Sequence, residues 1–167
     1  MIHYTNINKD FSIPDMLEDG TITKKSGLIK RDSKVSFIDD LSLRKEIFNF
    51  INDEYCKKWH TQLTDIEPLQ YSEYDIGGEY GWHRDVHDNP YSNGLVRKIS
   101  FSTILNNDYL GGEFDIETRN PNSETRYDTF EGTIYNTIIF PAYMWHRVRP
   151  VKSGIRKSIV GWVLGPP

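Results

Sequence analysis

Between positions 43 and 59 the apolar residues Leu43, Ile47, Phe50 and Ile51 recur at three- and four-residue intervals, with lysines and acids between them. That spacing puts them on one face of a helix, so residues 43–59 are expected to form a helix packed against a sheet. The preceding Asp39-Asp40-Leu41-Ser42 supplies side chains suited to its N-cap. After Glu67 the pattern changes to short runs broken by turn residues. Residues 99–105 alternate loosely and stop at Asn106-Asn107-Asp108, and Gly111-Gly112 leads into Glu113-Phe114-Asp115-Ile116. Residues 133–141 and 158–164 read as two further strands. Strands at this cadence, with no helix between them, indicate a β-sandwich or jelly roll. The expected fold is therefore mainly β, with flanking helices on its N-terminal side. The pattern shows no repeat, low-complexity tract or linker, which implies one domain over 1–167: support in 1–66 and a core in 67–167.

Composition narrows the setting. Aromatic residues make up 13% of the chain, which suits pleated, half-buried surfaces. The lone cysteine, Cys56, excludes an internal disulfide and a thiolate metal cluster, so a reducing, cytoplasmic setting is the default. No stretch is apolar for long enough to span a membrane, and the N-terminus lacks the basic-then-apolar pattern of a secretory signal. With a net charge of −4, the one basic stripe is 147–157, and no aromatic–basic groove is legible, which argues against a nucleic-acid partner.

The stretch GWHRDVHDNP, residues 81–90, sets His83, Asp85 and His87 on alternate positions. In a strand, residues two apart share a face, so His83 and Asp85 can converge on one point. The pair needs a third ligand. His146, in FPAYMWHRVRPV, follows an apolar strand and the Pro141 turn, and two histidines with one carboxylate suit Fe(II) with open positions left over. His87 is the competitor: on an unbroken strand it would complete a local triad without His146. The alternative for His87 is a solvated loop residue or a substrate contact, since the strand is expected to give way to loop there. Arg156 and Ser158 form another same-face pair, and a forked guanidinium beside a hydroxyl is suited to gripping a carboxylate. Gly111-Gly112 is read as a tight turn.

YDIGGEYGWHRD, RKISFSTILNNDYLGGEF and FPAYMWHRVRPVKSGIRKSIVGWV, in that order, resemble the Fe(II)/2-oxoglutarate dioxygenases of the prolyl 4-hydroxylase type, and the small bacterial and phage PKHD-type members above all. The resemblance runs from about Lys24 to the C-terminus. It implies a double-stranded β-helix with the metal at one open end. It matches His83, Asp85 and His146 to the iron ligands, Arg156 to the residue that binds the distal carboxylate of 2-oxoglutarate, and Tyr74 to a tyrosine contacting that co-substrate. Arg97 and Trp162 match positions that touch peptide substrate in some relatives. The segment between Asp85 and Arg97 corresponds to a mobile loop that closes over substrate. Asp85 is the carboxylate that halogenating relatives lack, which points to hydroxylation.

The implied activity is hydroxylation of a C–H bond, of a prolyl residue in a peptide or protein, consuming O2 and 2-oxoglutarate and releasing succinate and CO2, with ascorbate as reductant. One departure limits the transfer: Ile104-Leu105-Asn106 replaces the tyrosine of a Tyr-Leu-Asn that helps bind 2-oxoglutarate in collagen and hypoxia-sensing hydroxylases. Two rival readings are a same-fold oxygenase acting on a nucleobase or free small molecule, and a jelly-roll binding protein or zinc hydrolase using the same three ligands without O2.

Overall fold

The computed structural model describes residues 2–20, 29–118 and 125–167; Lys24 lies outside them. In chain order the elements are β1 (His3–Asn6), β2 (Glu18–Asp19), β3 (Arg31–Asp32), β4 (Lys34–Ile38), α1 (Leu41–Tyr55), β5 (Asp65–Ile66), β6 (Leu69–Tyr74), β7 (Glu79–His83), β8 (Val96–Ile104), β9 (Leu110–Gly111), β10 (Phe114–Glu117), β11 (Tyr127–Phe130), β12 (Asn136–Pro141), β13 (His146–Val148), β14 (Val151–Ser153) and β15 (Arg156–Gly165).

Helix α1 begins where expected, with Asp40 Oδ1 accepting from the Leu43 N–H at 3.0 Å. Its buried stripe is Leu43, Ile47, Ile51 and Tyr55. Phe50, expected in that stripe, is 38% exposed, because the buried residues recur at strict four-residue steps and Phe50 falls beside them. The helix ends at Tyr55 and not at residue 59: turns follow, and His60 at φ 47° reverses the chain while Trp59 folds back onto Tyr55 with ring centroids 5.3 Å apart. Among the described residues α1 is the single α-helix, so one helix takes the flanking role for which several were expected.

The strands form two facing antiparallel sheets, the expected jelly-roll arrangement. The large sheet runs β1-β12-β8-β15-β6-β4-β2, with β5 also on β15; the small sheet runs β11-β10-β13-β7-β3; β9 and β14 form a separate pair. Strand β12 starts at Asn136 and not at 133, because Asn136 closes a turn on Thr133 through both its N–H and its side chain. N-terminal strands enter both sheets: β1 pairs with β12, β4 with β6, and β3 with β7.

Alternation along the central strands divides the interior in two. Ile99, Phe101, Ile159, Val163, Leu69 and Tyr71 pack with α1 behind the large sheet. Between the sheets, Tyr74, Ile104, Ile138 and Phe140 meet Phe114, Ile116, Phe130 and Val148. On that inner side β8 and β15 also present Ser102, Arg156, Ser158, Val160 and Trp162 to a cavity. Polar side chains buried there need partners, and that requirement organises the site.

Candidate metal centre and cavity

The cavity occupies about 540 Å³ between the open ends of the two sheets. His83 ends β7, His146 begins β13, and the two are register partners, so pairing of the small sheet brings their imidazoles to a centroid separation of 4.1 Å. Asp85 joins them by a different route from the one expected. It lies beyond the end of β7, so strand alternation does not aim it. Its N–H donates to the Ala142 carbonyl at 3.0 Å, and the Ser100 hydroxyl, from the large sheet, donates to Oδ2 at 2.7 Å. Asp85 Oδ1 is 3.7 Å from His83 Nε2 and Oδ2 is 3.4 Å from His146 Nε2. One ligand atom from each residue falls within 4.8 Å of the others, and all three residues are buried.

The tautomers follow from the neighbours. His83 Nδ1 is 2.8 Å from the Gly81 carbonyl and His146 Nδ1 is 2.9 Å from that of Met144; a carbonyl only accepts, so each Nδ1 carries a hydrogen and Nε2 is the nitrogen left to face Asp85. Burial, and then the second imidazole, lower the His83 pKa to about 3, so the ring is neutral near pH 7. Burial pushes the Asp85 carboxyl upward, but His146, His83, Arg97 and the Ser100 hydroxyl outweigh it and hold the pKa down at about 2. Two imidazoles that turn Nε2 inward and one carboxylate, with walls of Phe114 and Phe140 behind His146, could hold an intermediate-hardness divalent metal. His87 is not in this cluster: its Nε2 lies 2.9 Å from the Tyr91 hydroxyl at the cavity mouth, so the local triad does not form.

Deeper in the same cavity, Arg156 is 2% exposed. Its Nε donates to the Gly112 carbonyl at 2.9 Å and its Nη1 to the Ser158 hydroxyl at 3.0 Å. Among the described residues no carboxylate pairs with it. A buried, permanently charged group held only by neutral partners is costly, and such a group ordinarily has an anion as its counterpart. Ser158 accepts from Arg156 and retains its own O–H to donate. Tyr74 stands opposite Arg156 in the register, with the guanidinium carbon 5.7 Å from its ring centroid; burial raises the Tyr74 pKa, so the phenol stays protonated. Gly112 explains the glycine pair better than a turn alone does: at φ 64°, a Cβ there would lie 2.8 Å from Arg156 Cδ. Ile104, at the position of the missing tyrosine, is buried in the apolar layer between the sheets.

At the mouth the structure joins residues that the sequence leaves unrelated. Arg97 lies flat on Trp162, its guanidinium carbon 3.8 Å from the ring centroid, and also reaches the Asp85 carbonyl at 3.4 Å. Glu67 holds it there with two bonds of 2.7 Å and accepts a third, at 2.8 Å, from Tyr91 in the loop that follows Asp85. The indole N–H of Trp162 is buried with no acceptor among the described residues. Glu67, Ser100 and Tyr80, which stacks on His83 at 3.5 Å, are site residues that sequence reasoning missed. Arg31, over the Tyr80 ring and lining the cavity, is another. The one available signal was Ser100-Phe101-Ser102, a polar–apolar alternation inside an otherwise buried strand.

A sequence model described as the 2OG-Fe(II) oxygenase superfamily matches residues 69–164. A PKHD-type hydroxylase of Prochlorococcus marinus strain MIT 9515 is 30% identical over 168 residues, covering 95% of this chain and 69% of that one. One of Synechococcus sp. strain CC9902 is 29% identical over 153 residues, covering 87% and 64%. This chain thus spans about three fifths to two thirds of the length of such curated relatives, 59% for another from Prochlorococcus marinus. Among solved structures, a Trichoplax adhaerens prolyl hydroxylase in complex with a hypoxia inducible factor peptide fragment superposes with a TM-score of 0.69 at 18% identity, over 89% of this chain and 70% of that one, a likeness of fold. The matched segment runs from the start of β6 to the last-but-one residue of β15 and so takes in both imidazoles, Asp85 and Arg156; on that match the chain belongs to the 2OG-Fe(II) oxygenase superfamily, in its PKHD-type branch.

Proposed function

We propose that the protein is an Fe(II)- and 2-oxoglutarate-dependent hydroxylase acting on a prolyl residue of a peptide or protein. The observation that carries this reading is the Arg156 guanidinium, buried with no carboxylate partner among the described residues in the cavity that holds His83, Asp85 and His146. A metal site alone fits a hydrolase or a binding protein; a metal site with an unneutralised cation fits an enzyme whose second substrate is a dicarboxylate.

His83, Asp85 and His146 would hold Fe(II), which when bound supplies the redox chemistry that O2 and 2-oxoglutarate need to oxidise a C–H bond. The carbonyls of Gly81 and Met144 fix both rings with Nε2 inward, and Ser100 fixes the Asp85 carboxylate. Arg156 binds the distal carboxylate of 2-oxoglutarate; Ser158 donates a further hydrogen bond, and Tyr74 borders the same end. These contacts make up for the tyrosine that Ile104 replaces. Arg97 and Trp162 line the mouth, where the Arg97 guanidinium stacked on the indole borders the path of a peptide. The names of the relatives support hydroxylation, and the peptide-bound structural neighbour supports a polypeptide acceptor.

The test is incubation with Fe(II), ascorbate, 2-oxoglutarate and a library of proline-containing peptides. Succinate and a mass gain of one oxygen on proline are expected, both lost in Asp85→Ala. Succinate without any modified peptide would move the acceptor to a nucleobase or a free small molecule. No Fe(II)-dependent succinate at all would leave a binding protein or hydrolase.

A further inference from the structure

A second hollow, of about 400 Å³, lies on the outer face of the small sheet. Strand alternation builds it from the strands that carry the imidazoles. Trp82 precedes His83 on β7 and Arg147 follows His146 on β13, so both side chains leave the sheet on the side away from the cavity. The Arg147 guanidinium carbon is 4.8 Å from the Trp82 ring centroid and 5.2 Å from that of Tyr127, and the two rings are 5.6 Å apart. Trp145 lines both the hollow and the cavity, with the Arg84 guanidinium 5.2 Å from its ring centroid.

The arrangement is braced from beneath. Asp115, fully buried on β10, accepts from Arg147 Nε at 2.6 Å, from Arg149 Nε and Nη2 at 2.7 and 2.9 Å, and from Thr129 at 2.8 Å. Closing a sheet does not require such a network, since apolar residues of similar volume stabilise as well or better. Here it fixes the Arg147 fork against two aromatic rings.

The same pairing decides between occupants. Arg147 and Arg149 share Asp115, and Arg126 pairs with Glu117 at 3.2 Å. Nucleic acid gains affinity from cations free to displace counterions, and here three guanidiniums lie against two carboxylates, which leaves a single net positive charge. A rigid aromatic surface with little net charge suits the rings and open carbonyls of an extended polyproline II segment, which arrives already ordered.

We propose that this hollow is a docking exosite for an extended, proline-rich part of the polypeptide whose target residue enters the cavity, with Trp145 as the step between the two. The inference rests on the polypeptide reading above. It explains why a half-buried aromatic cluster, with Trp145 exposed at its edge, stands beside a buried reaction site.

Binding is measured without turnover, by titrating a decaproline peptide into the metal-free protein and following tryptophan fluorescence and heat. Saturable binding is expected, weakened about tenfold in both Tyr127→Ala and Trp145→Ala and kept in Tyr127→Phe, with circular dichroism and melting confirming that each variant folds. No saturable binding by the wild type, or equal binding by the alanine variants, overturns the exosite. So does salt-sensitive binding of oligo(dT) tighter than that of decaproline, which would assign the hollow to nucleic acid. The two readings fail separately. Peptides hydroxylated with a KM unchanged by Tyr127→Ala would sink the exosite alone. Decaproline held at the hollow while no proline peptide is hydroxylated would sink the substrate assignment alone.

Discussion

Arg156→Met separates the use of that side chain from its contribution to folding, because the two effects have opposite signs. In the folded protein the guanidinium makes two hydrogen bonds to neutral groups, the Gly112 carbonyl at 2.9 Å and the Ser158 hydroxyl at 3.0 Å. Losing them costs about 1 kcal/mol each, with a further 1–3 kcal/mol if the Gly112 carbonyl is left without a donor. Against that, removing a buried cation that lacks an anionic partner relieves several kcal/mol of desolvation. Methionine also fills most of the vacated volume with apolar atoms. The ligand-free variant is therefore expected to melt at or above the wild-type temperature. Binding of 2-oxoglutarate moves the other way. Breaking a buried guanidinium–carboxylate pair costs about 3–5 kcal/mol, and since the cavity opens to solvent at its mouth the lower end applies, a loss of roughly two decades in affinity. The assay is succinate formation against 2-oxoglutarate concentration, alongside melting with and without 2-oxoglutarate. The wild type should gain melting temperature on adding the diacid and the variant should not. A variant with unchanged KM that melts well below the wild type would refute the reasoning, since Arg156 would then be a structural residue.

Further substitutions and a pH titration probe the surroundings. Gly112→Ala is strained at φ 64° and drives a methyl to 2.8 Å from Arg156 Cδ, so it should raise the KM for 2-oxoglutarate and lower stability by about 2 kcal/mol or more; Gly94→Ala, at φ 79° with open space around it, should cost about 1–2 kcal/mol in the melt and leave that KM alone. Glu67→Gln loosens Arg97 on Trp162 and frees Tyr91, so the KM for a peptide acceptor should rise several-fold while that for 2-oxoglutarate holds, as steady-state kinetics with each substrate varied will show. In the metal-free protein the His83 pKa is lowered from 6.5 to about 3, so below pH 6.5 the unfolded chain binds a proton that the folded one refuses. Stability should then fall as pH drops through that window, by about 1.4 kcal/mol per pH unit near pH 5, and the slope should flatten in His83→Asn when followed by urea unfolding. The Asp85 contribution, from a pKa lowered to about 2, is present above the ordinary 3.8 and disappears only below it.

What the sequence made legible follows from which interactions are local. The helix is local: its cap, Asp40, lies three residues from the N–H that it satisfies, and its stripe repeats every fourth residue. The error at Phe50 arose because periodicity alone does not settle which flank of a helix meets the sheet. The imidazoles were legible through the local setting of each, His83 two residues from Asp85 and His146 after an apolar strand and the Pro141 turn; their pairing in register was not. The reason given for Asp85 was wrong in detail, since a loop clamped by Ala142 and Ser100, and not strand alternation, aims it. Ser100, Ser102 and Ser158 resemble the outward positions of half-exposed strands. They are buried because the polar side of those strands faces a cavity and not solvent. Glu67 could not have been singled out, since its role exists only once Arg97, thirty residues away, is laid against Trp162. The outer hollow was illegible for the same reason: Trp82, Tyr127 and Arg147 are far apart in the chain and meet only through the pairing of β7, β13, β10 and β11.

Whether position 146 or position 87 supplies the third ligand bears on every step of the chemistry. Anaerobic Fe(II) binding to the wild type, His146→Ala and His87→Ala measures it directly. Near-stoichiometric iron in the wild type and His87→Ala, with little or none in His146→Ala, is the expected result. Iron lost from His87→Ala and retained by His146→Ala would contradict the metal centre described above.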